Sequence, residues 1–215
     1  MTWLSLQGIV FYLITGAAVT VALALASVLV GGTLGLSLAV IRLYGWLPVR
    51  WLMAAIVFVI KGVPLLILLI GAYVILPYFK LDLPAKIVAI LTIGIYFSTY
   101  ASEIYRAAIL SIPAAQWDAG RSLGFTPWLV FTTVILPQTV RFCAAPLIGI
   151  FIMTVKATSL VSAIGAWELL SAGREITERT FLVLPIYLAV AAIYFVICFG
   201  LSRLSNRVEK AFTHA

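Results

Sequence analysis

An uncharged apolar run from residue 9 to residue 41 constrains this chain more than any other feature. About 20 apolar residues in a helix cross the hydrocarbon core of a bilayer. Such a segment leaves no backbone group to be satisfied by water, because a helix pairs its own N–H and C=O groups internally. The run therefore predicts a transmembrane helix close to the N-terminus.

The rest of the chain repeats this pattern. Hydrophobic residues make up 64% of the 215 residues and charged residues only 10%, against about 25% charged in a soluble domain. We predict an all-α integral membrane protein with one transmembrane domain, 1–215, and lipid as its main solvent. Its five predicted spans run over 9–41, 51–76, 84–109, 142–165 and 182–201.

The basic residues predict the orientation of these spans. The connections after the first and third spans, together with the C-terminal tail, carry eight basic residues: Arg42, Arg50, Arg106, Arg121, Arg141, Arg203, Arg207 and Lys210. The opposite connections carry four: Lys80, Lys86, Arg174 and Arg179. The positive-inside rule then places the N-terminus outside and the C-terminus in the cytoplasm. Because span flanks account for the net charge of +7, nucleic acid is not an expected partner.

The connection between the third and fourth spans contains signals for a short cytoplasmic helix over 113–123. Pro113 suits the first helical position, and Gly124 suits the residue that ends a helix. Thr126 and Pro127 then predict a second helix start. A helix this short is marginal alone in water and needs a partner. Docking to another protein and lying on the bilayer surface are both open interpretations.

The residues of this connection, about 111–137, resemble the EAA loop of ATP-binding-cassette (ABC) importer permeases. The family pattern is E-A-A, three residues, Gly, nine residues, then I-x-L-P. It falls here on Asp118, Ala119 and Gly120, then Gly124, and then 134–137. Asp replaces Glu, Gly replaces the second Ala and Val replaces Ile.

Three further segments resemble the polar amino acid uptake subfamily: IKGVPLL over 60–66, STYASEIYRAAILSIPAAQWDAGRSLG over 98–124, and VKATSLVSAIG over 155–165. The resemblance implies a multi-pass bacterial inner-membrane permease that contacts an ATP-binding subunit dimer, a second permease subunit, an extracytoplasmic solute-binding protein and a polar amino acid. ATP and Mg²⁺ would be bound by the ATPase, and no cofactor by this chain. The residues implied in ATPase coupling are Gln116, Asp118, Ala119, Gly120, Arg121, Leu123, Gly124 and Pro137.

Ionisable residues at membrane depth are candidates for contact with the substrate. Glu103 could bind a substrate cation, or it could pair with Arg106 three residues later. Lys156 could bind a substrate carboxylate, assisted by hydroxyls of Thr158 and Ser159. Alternatively, Lys156 pairs with Glu103 or with a carboxylate of a partner subunit, and the hydroxyls bond the helix backbone.

Lys61 precedes Gly62 and Pro64, which interrupt the second predicted span. Broken helices often line binding cavities, so Lys61 is a further substrate candidate. The interpretation we favour is a simple proline kink with a lysine reaching the cytoplasmic edge of the membrane. The glycines Gly31, Gly32 and Gly35 of the first span predict close helix packing.

Two other function classes remain to be compared. An ion-coupled secondary transporter of amino acids using Glu103 is the alternative to a permease subunit, but the chain shows no internal repeat of the kind such transporters often have. An enzyme is not expected: the sequence has no phosphate-binding loop and no intramembrane histidine, and no metal site is predicted.

Overall fold

The computed structural model describes residues 6–213, and these residues form helices joined by short turns. The α-helices are α1 Leu6–Tyr44, α2 Leu47–Gly62, α3 Leu65–Ile75, α4 Ala85–Leu110, α5 Ala114–Ser122, α6 Pro127–Val130, α7 Leu136–Ala157, α8 Leu169–Thr180 and α9 Val183–Thr213. A π-helical turn, Phe131–Ile135, joins α6 to α7. Two 3₁₀ segments, Leu76–Phe79 and Thr158–Ile164, extend α3 and α7.

Within residues 6–213, four helical segments are long and apolar enough to cross a membrane: Leu6–Tyr44, Ala85–Leu110, Pro127–Ile164 and Val183–Ala211. The pair α2 and α3 makes a fifth if it is counted as one span, and its two helices meet at an angle of 103°. The all-helical class and the five apolar segments were therefore predicted correctly, but the second segment is not a continuous helix.

The fourth span begins well before residue 142, where we predicted it. Its helix starts at Pro127, capped by the Thr126 hydroxyl, which accepts a hydrogen bond from the Leu129 N–H at 3.3 Å. The polar residues that follow were expected to lie in a loop. Instead, Thr139 donates to the Ile135 carbonyl at 2.9 Å, and Gln138 donates to that of Val134 at 2.8 Å. Because these side chains are satisfied within the helix, they do not end it.

Two features of the C-terminal third were not predicted. Helix α9 continues to Thr213, whereas the fifth span was expected to end at residue 201. Helix α8 occupies the connection that we expected to be an external loop. It packs against both α1 and α9, so this connection belongs to the folded body of the protein.

Helices α1 and α4 make the most extensive contact in the described fold. A Cβ atom on Gly31 would lie 2.9 Å from the carbonyl oxygen of Gly94, and one on Gly35 would lie 2.7 Å from the Ala101 side chain. Such distances are shorter than a carbon side chain tolerates, so these positions require glycine for the helices to approach this closely. The predicted packing role is confirmed for Gly31 and Gly35, whereas a Cβ atom on Gly32 would make only an ordinary contact, 3.7 Å from the Tyr105 hydroxyl.

Candidate functional site

Helix α5 lies in the connection between the third and fourth spans and presents most of its side chains to solvent. Its nine residues match the predicted helix within two residues at each end. Among the residues implied in ATPase coupling, the exposed ones are Gln116, Asp118, Ala119, Arg121, Leu123, Gly124 and Pro137. Leu123, just after the end of α5, is 73% exposed. Asp118 and Arg121 form an open ion pair at 4.0 Å.

The opposite side of α5 is fixed by a small apolar cluster. Gly120 is buried, and a Cβ atom there would lie only 2.6 Å from Cγ2 of Val130. The ring of Trp117 stacks on that of Phe131, with 6.4 Å between centroids. Ile112, Val130 and Ile135 form the buried centre of this cluster. The glycine that replaces the second Ala of the family pattern thus has a structural reason, since it lets α5 lie directly on α6.

The end of α5 follows the local prediction. Gly124 adopts a left-handed conformation with φ +79°, which glycine accepts at no steric cost. The Phe125 N–H then donates to the Gly120 carbonyl at 3.1 Å, and the Leu123 N–H donates to that of Ala119 at 3.2 Å. These bonds satisfy carbonyls at the helix end. Helix α5 is therefore a self-contained unit with its own start, stop and packing partner.

Glu103 forms the predicted pair with Arg106 and a second pair that was not predicted. Its Oε2 atom accepts from Arg106 at 2.9 and 3.0 Å, and its Oε1 atom accepts from Arg42 of α1 at 2.7 Å. Both carboxylate oxygens are therefore engaged by guanidinium groups. The predicted alternative, a pair between Glu103 and Lys156, does not form in this structure.

Lys61 lies at the break between α2 and α3, and the simple proline kink that we favoured is wrong. Val63 is extended, with φ −100° and ψ 132°, because the residue before a proline is disfavoured in helical conformation. Pro64 precedes α3 and has no N–H to continue the ladder. The Lys61 ammonium lies 4.9 Å from the ring centroid of Tyr100, which is near the middle of α4.

Lys156 is exposed in the last turn of α7, beside a cleft of about 630 Å³ between α7 and α9. Tyr194, Cys198 and Ser202 line the same cleft. Within residues 6–213, no carboxylate lies within ion-pair distance of Lys156. The hydroxyls of Thr158 and Ser159 donate to backbone carbonyls, at 2.7 and 2.8 Å, so here the backbone alternative holds.

Sequence reasoning missed Glu168, which is fully buried just before α8. One oxygen accepts from the Ser171 N–H at 2.9 Å. The other accepts from the Leu170 N–H at 2.9 Å, from the Tyr194 hydroxyl at 2.7 Å and from the Thr20 hydroxyl at 3.3 Å. A carboxylate directly before a helix start was the available signal, but its partners on α1 and α9 are remote in sequence.

Comparison with known proteins identifies similar chains. Residues 31–214 match the family model described as binding-protein-dependent transport system inner membrane component. The chain is 36% identical to the L-cystine transport system permease protein TcyB of Bacillus subtilis, covering 97% of this chain and 86% of that protein. It is 32% identical to the glutamine transport system permease protein GlnP of Escherichia coli, covering 97% and 96%.

A solved structure extends the similarity to three dimensions. The chain superposes on a crystal structure of an amino acid ABC transporter with histidines at a TM-score of 0.88, with 31% identity over 97% of this chain and 98% of that one. A structure of the methionine ABC transporter MetNI has the same fold, with a TM-score of 0.80 at 18% identity.

Proposed function

The chain belongs to the family of binding-protein-dependent transport system inner membrane components, and from that premise we propose that it is the permease subunit of an ABC importer for polar amino acids. Its relatives carry cystine, glutamine, or glutamate and aspartate by name. The chain is a multi-pass membrane protein, and its family consists of transport permeases rather than enzymes. No observation supports the ion-coupled alternative, since Glu103 is held between two arginines.

The geometry of α5 is the observation that carries the coupling part of the proposal. Three of its polar side chains, Gln116, Asp118 and Arg121, are exposed, while Trp117 and Gly120 anchor the helix from behind. An exposed amphipathic helix with an apolar residue at its end, Leu123, suits a cleft in a partner protein. We infer that the partner is an ATP-binding subunit and that α5 transmits its movement to α6 and α7 through the Val130 contact.

We propose that, inside the membrane, the substrate contacts cationic side chains of this protein rather than an unpaired carboxylate. Glu103 is already neutralised by Arg42 and Arg106, so it is the weakest of the substrate candidates. Lys156 faces the α7–α9 cleft without an acidic partner among the described residues, and such a charge at membrane depth needs a polar neighbour. We propose that Lys156 pairs with the substrate's α-carboxylate when this face borders the translocation path. Lys61 remains a second candidate cation.

The remaining partners follow from the same proposal. Two permease subunits, either two copies of this chain or this chain with a related one, would enclose the path. A solute-binding protein would deliver the amino acid from outside. ATP and Mg²⁺ would be bound by the separate ATPase dimer, because this sequence contains no phosphate-binding loop of its own.

Copurification tests the proposal directly. The tagged chain is extracted from native membranes in mild detergent, and its partners are identified by mass spectrometry. We expect an ATP-binding subunit to be recovered, together with one permease species or two. Recovery of the chain alone, after chemical crosslinking in the membrane to prevent dissociation, would contradict the proposal.

The assignment of Lys156 has a separate test in the same preparation. A Lys156→Ala variant should still recover the ATPase but should take up its amino acid substrate at least tenfold more slowly. A Lys156→Arg variant, which keeps the charge, serves as the control. Uptake by Lys156→Ala at the unmodified rate would assign the lysine a structural role.

A further inference from the structure

A cleft of about 370 Å³ opens where α1, α2 and α4 reach the predicted cytoplasmic side. Its lining combines three arginines, Arg42, Arg50 and Arg106, with apolar side chains. The apolar lining residues are Leu43, Leu47, Trp51, Ala54 and Leu110. The proposed transport function uses none of these apolar side chains, so the cleft requires its own explanation.

The cleft carries an excess of positive charge. Arg42 and Arg106 share the single carboxylate of Glu103, at 2.7 and 2.9 Å. The Nε atom of Arg50 donates to the backbone carbonyl of Arg42 at 2.9 Å, which holds the guanidinium group in place and leaves it without an acidic partner among residues 6–213. Three cations and one anion leave two positive charges uncompensated.

The start of α2 adds to the positive charge of the cleft. Helix α2 begins at Leu47 with no side-chain cap and no acidic residue in its first turn. The N-terminus of a helix carries a partial positive charge, and its first N–H groups have no partner within the helix. The charge at this end of the cleft is thus complementary to an anion, and no acidic residue in the first turn of α2 offsets it.

The apolar half of the cleft indicates which kind of anion fits. Leu47 is 60% exposed, Trp51 71% and Leu110 59%, and they adjoin the arginines. Tryptophan favours the interface between lipid headgroups and acyl chains. A soluble anion such as phosphate would use the arginines alone, whereas a phospholipid uses both halves.

We propose that this cleft is a binding site for an anionic phospholipid of the cytoplasmic leaflet. The headgroup phosphate contacts Arg50 and the outer edges of Arg42 and Arg106, and an acyl chain lies against Leu47, Trp51 and Leu110. Basic pockets between transmembrane helices on the cytoplasmic side are suited to such headgroups. The lining of this cleft includes neither Lys61, nor Lys156, nor any residue of α5.

Lipid titration of the purified complex tests the site. Phosphatidylglycerol and phosphatidylcholine with identical acyl chains are added to the delipidated protein, and bound lipid is counted by native mass spectrometry. We expect phosphatidylglycerol to bind more tightly. Arg50→Gln should weaken it about fivefold and leave phosphatidylcholine unchanged. Arg141→Gln, which removes an exposed arginine of α7 outside the cleft, is the matched control and should change neither.

A second variant tests the same site without replacing Arg50, in case Arg50→Gln disturbs the local structure. Leu47→Glu places a negative charge in the cleft, yet an acidic residue in the first turn stabilises a helix, so α2 should remain intact. We expect weaker phosphatidylglycerol binding with unchanged helix content by circular dichroism. Equal affinities for the two lipids, or an equal loss in Arg141→Gln, would overturn the proposal. Displacement of the lipid by millimolar inorganic phosphate would assign the cleft to a soluble anion instead.

Discussion

Two short helices lie in connections between spans, and they are held in different ways. Helix α5, with 9 residues, follows the third span, and helix α8, with 12 residues, follows the fourth. Helix α5 rests on α6 and the adjoining π-helical turn, which come directly after it in the chain. Helix α8 contacts α1, α9 and the 3₁₀ segment that precedes it, so it is tied to remote parts of the fold.

The hydrogen bonds reflect the same contrast. Glu168 before α8 is fully buried and joins α8 to α1 and α9 through Thr20 and Tyr194. Near the middle of the helix, the Tyr12 hydroxyl donates to the Glu175 carboxylate. The ion pair on α5, between Asp118 and Arg121, is 4.0 Å long and spans one turn of the same helix.

This difference suggests different roles for the two helices. A short helix with buried polar links to two spans moves only if those spans move, so α8 serves as a brace. A short helix held by one apolar cluster, with an uncovered polar side, can tilt as a unit on that cluster. We therefore expect α5 to move more readily than α8, as the proposed coupling role requires.

Removing the anchor of α8 should have the largest effect. Glu168→Ala leaves the N–H groups of Leu170 and Ser171 and the Tyr194 hydroxyl without their acceptor. Loss of a helix cap costs about 1 kcal/mol, and each buried polar group left unsatisfied adds about 1–3 kcal/mol. We expect a loss of at least about 3 kcal/mol, measured by thermal unfolding of the detergent-purified protein.

Glu178→Gln is the control for this variant. Glu178 lies on the same helix, but its pair with Arg174 is exposed, with side chains 60% and 66% accessible. Exposed pairs contribute about 0–1 kcal/mol, so the unfolding temperature should hardly change. Equal destabilisation by the two variants would show that α8 is not braced through Glu168.

A charge reversal on α5 should affect coupling without affecting stability. Asp118 is exposed, so Asp118→Lys leaves the fold intact but opposes a partner surface that accepts an acid. We expect at least a tenfold loss of the copurified ATPase and of substrate-dependent ATP hydrolysis, at an unchanged unfolding temperature. Glu178→Lys makes the same reversal on α8 and should retain the ATPase. An Asp118→Lys variant with full transport would refute the docking role of α5.

The contact between α5 and α6 should show a smaller, local effect. Gly120→Ala restores the residue of the family pattern but places a methyl group against Val130. Overpacking costs about 1–3 kcal/mol, and the higher helix propensity of alanine offsets up to about 1 kcal/mol. Hydrogen exchange of α5 should therefore accelerate by up to about thirtyfold.

A double-mutant cycle sharpens this test. Val130→Ala removes the obstructing methyl groups, so the double variant should be less destabilised than the sum of the two single variants. Strict additivity of the two changes would mean that Gly120 does not act through Val130, and α5 would then be held by the Trp117–Phe131 stack alone.

Local sequence signals were sufficient to predict where α5 begins and ends. The proline before it, the glycine after it and the Thr126 cap act on neighbouring backbone groups, so their effect can be predicted from a few residues. The same holds for the apolar spans, whose length decides that they cross a membrane. The ATPase-coupling and substrate roles stay predictions.

Composition and apolar segment length thus determined, from sequence alone, that this chain is a helical membrane protein, and short motifs located its cytoplasmic helix. The tertiary structure decided which partners the polar residues of the protein have. Glu103 meets Arg42 only because the glycines of α1 allow α4 to approach, and Glu168 meets Thr20 and Tyr194 only because α8 folds back between α1 and α9. Such pairings join residues far apart in the chain, and no local pattern specifies them.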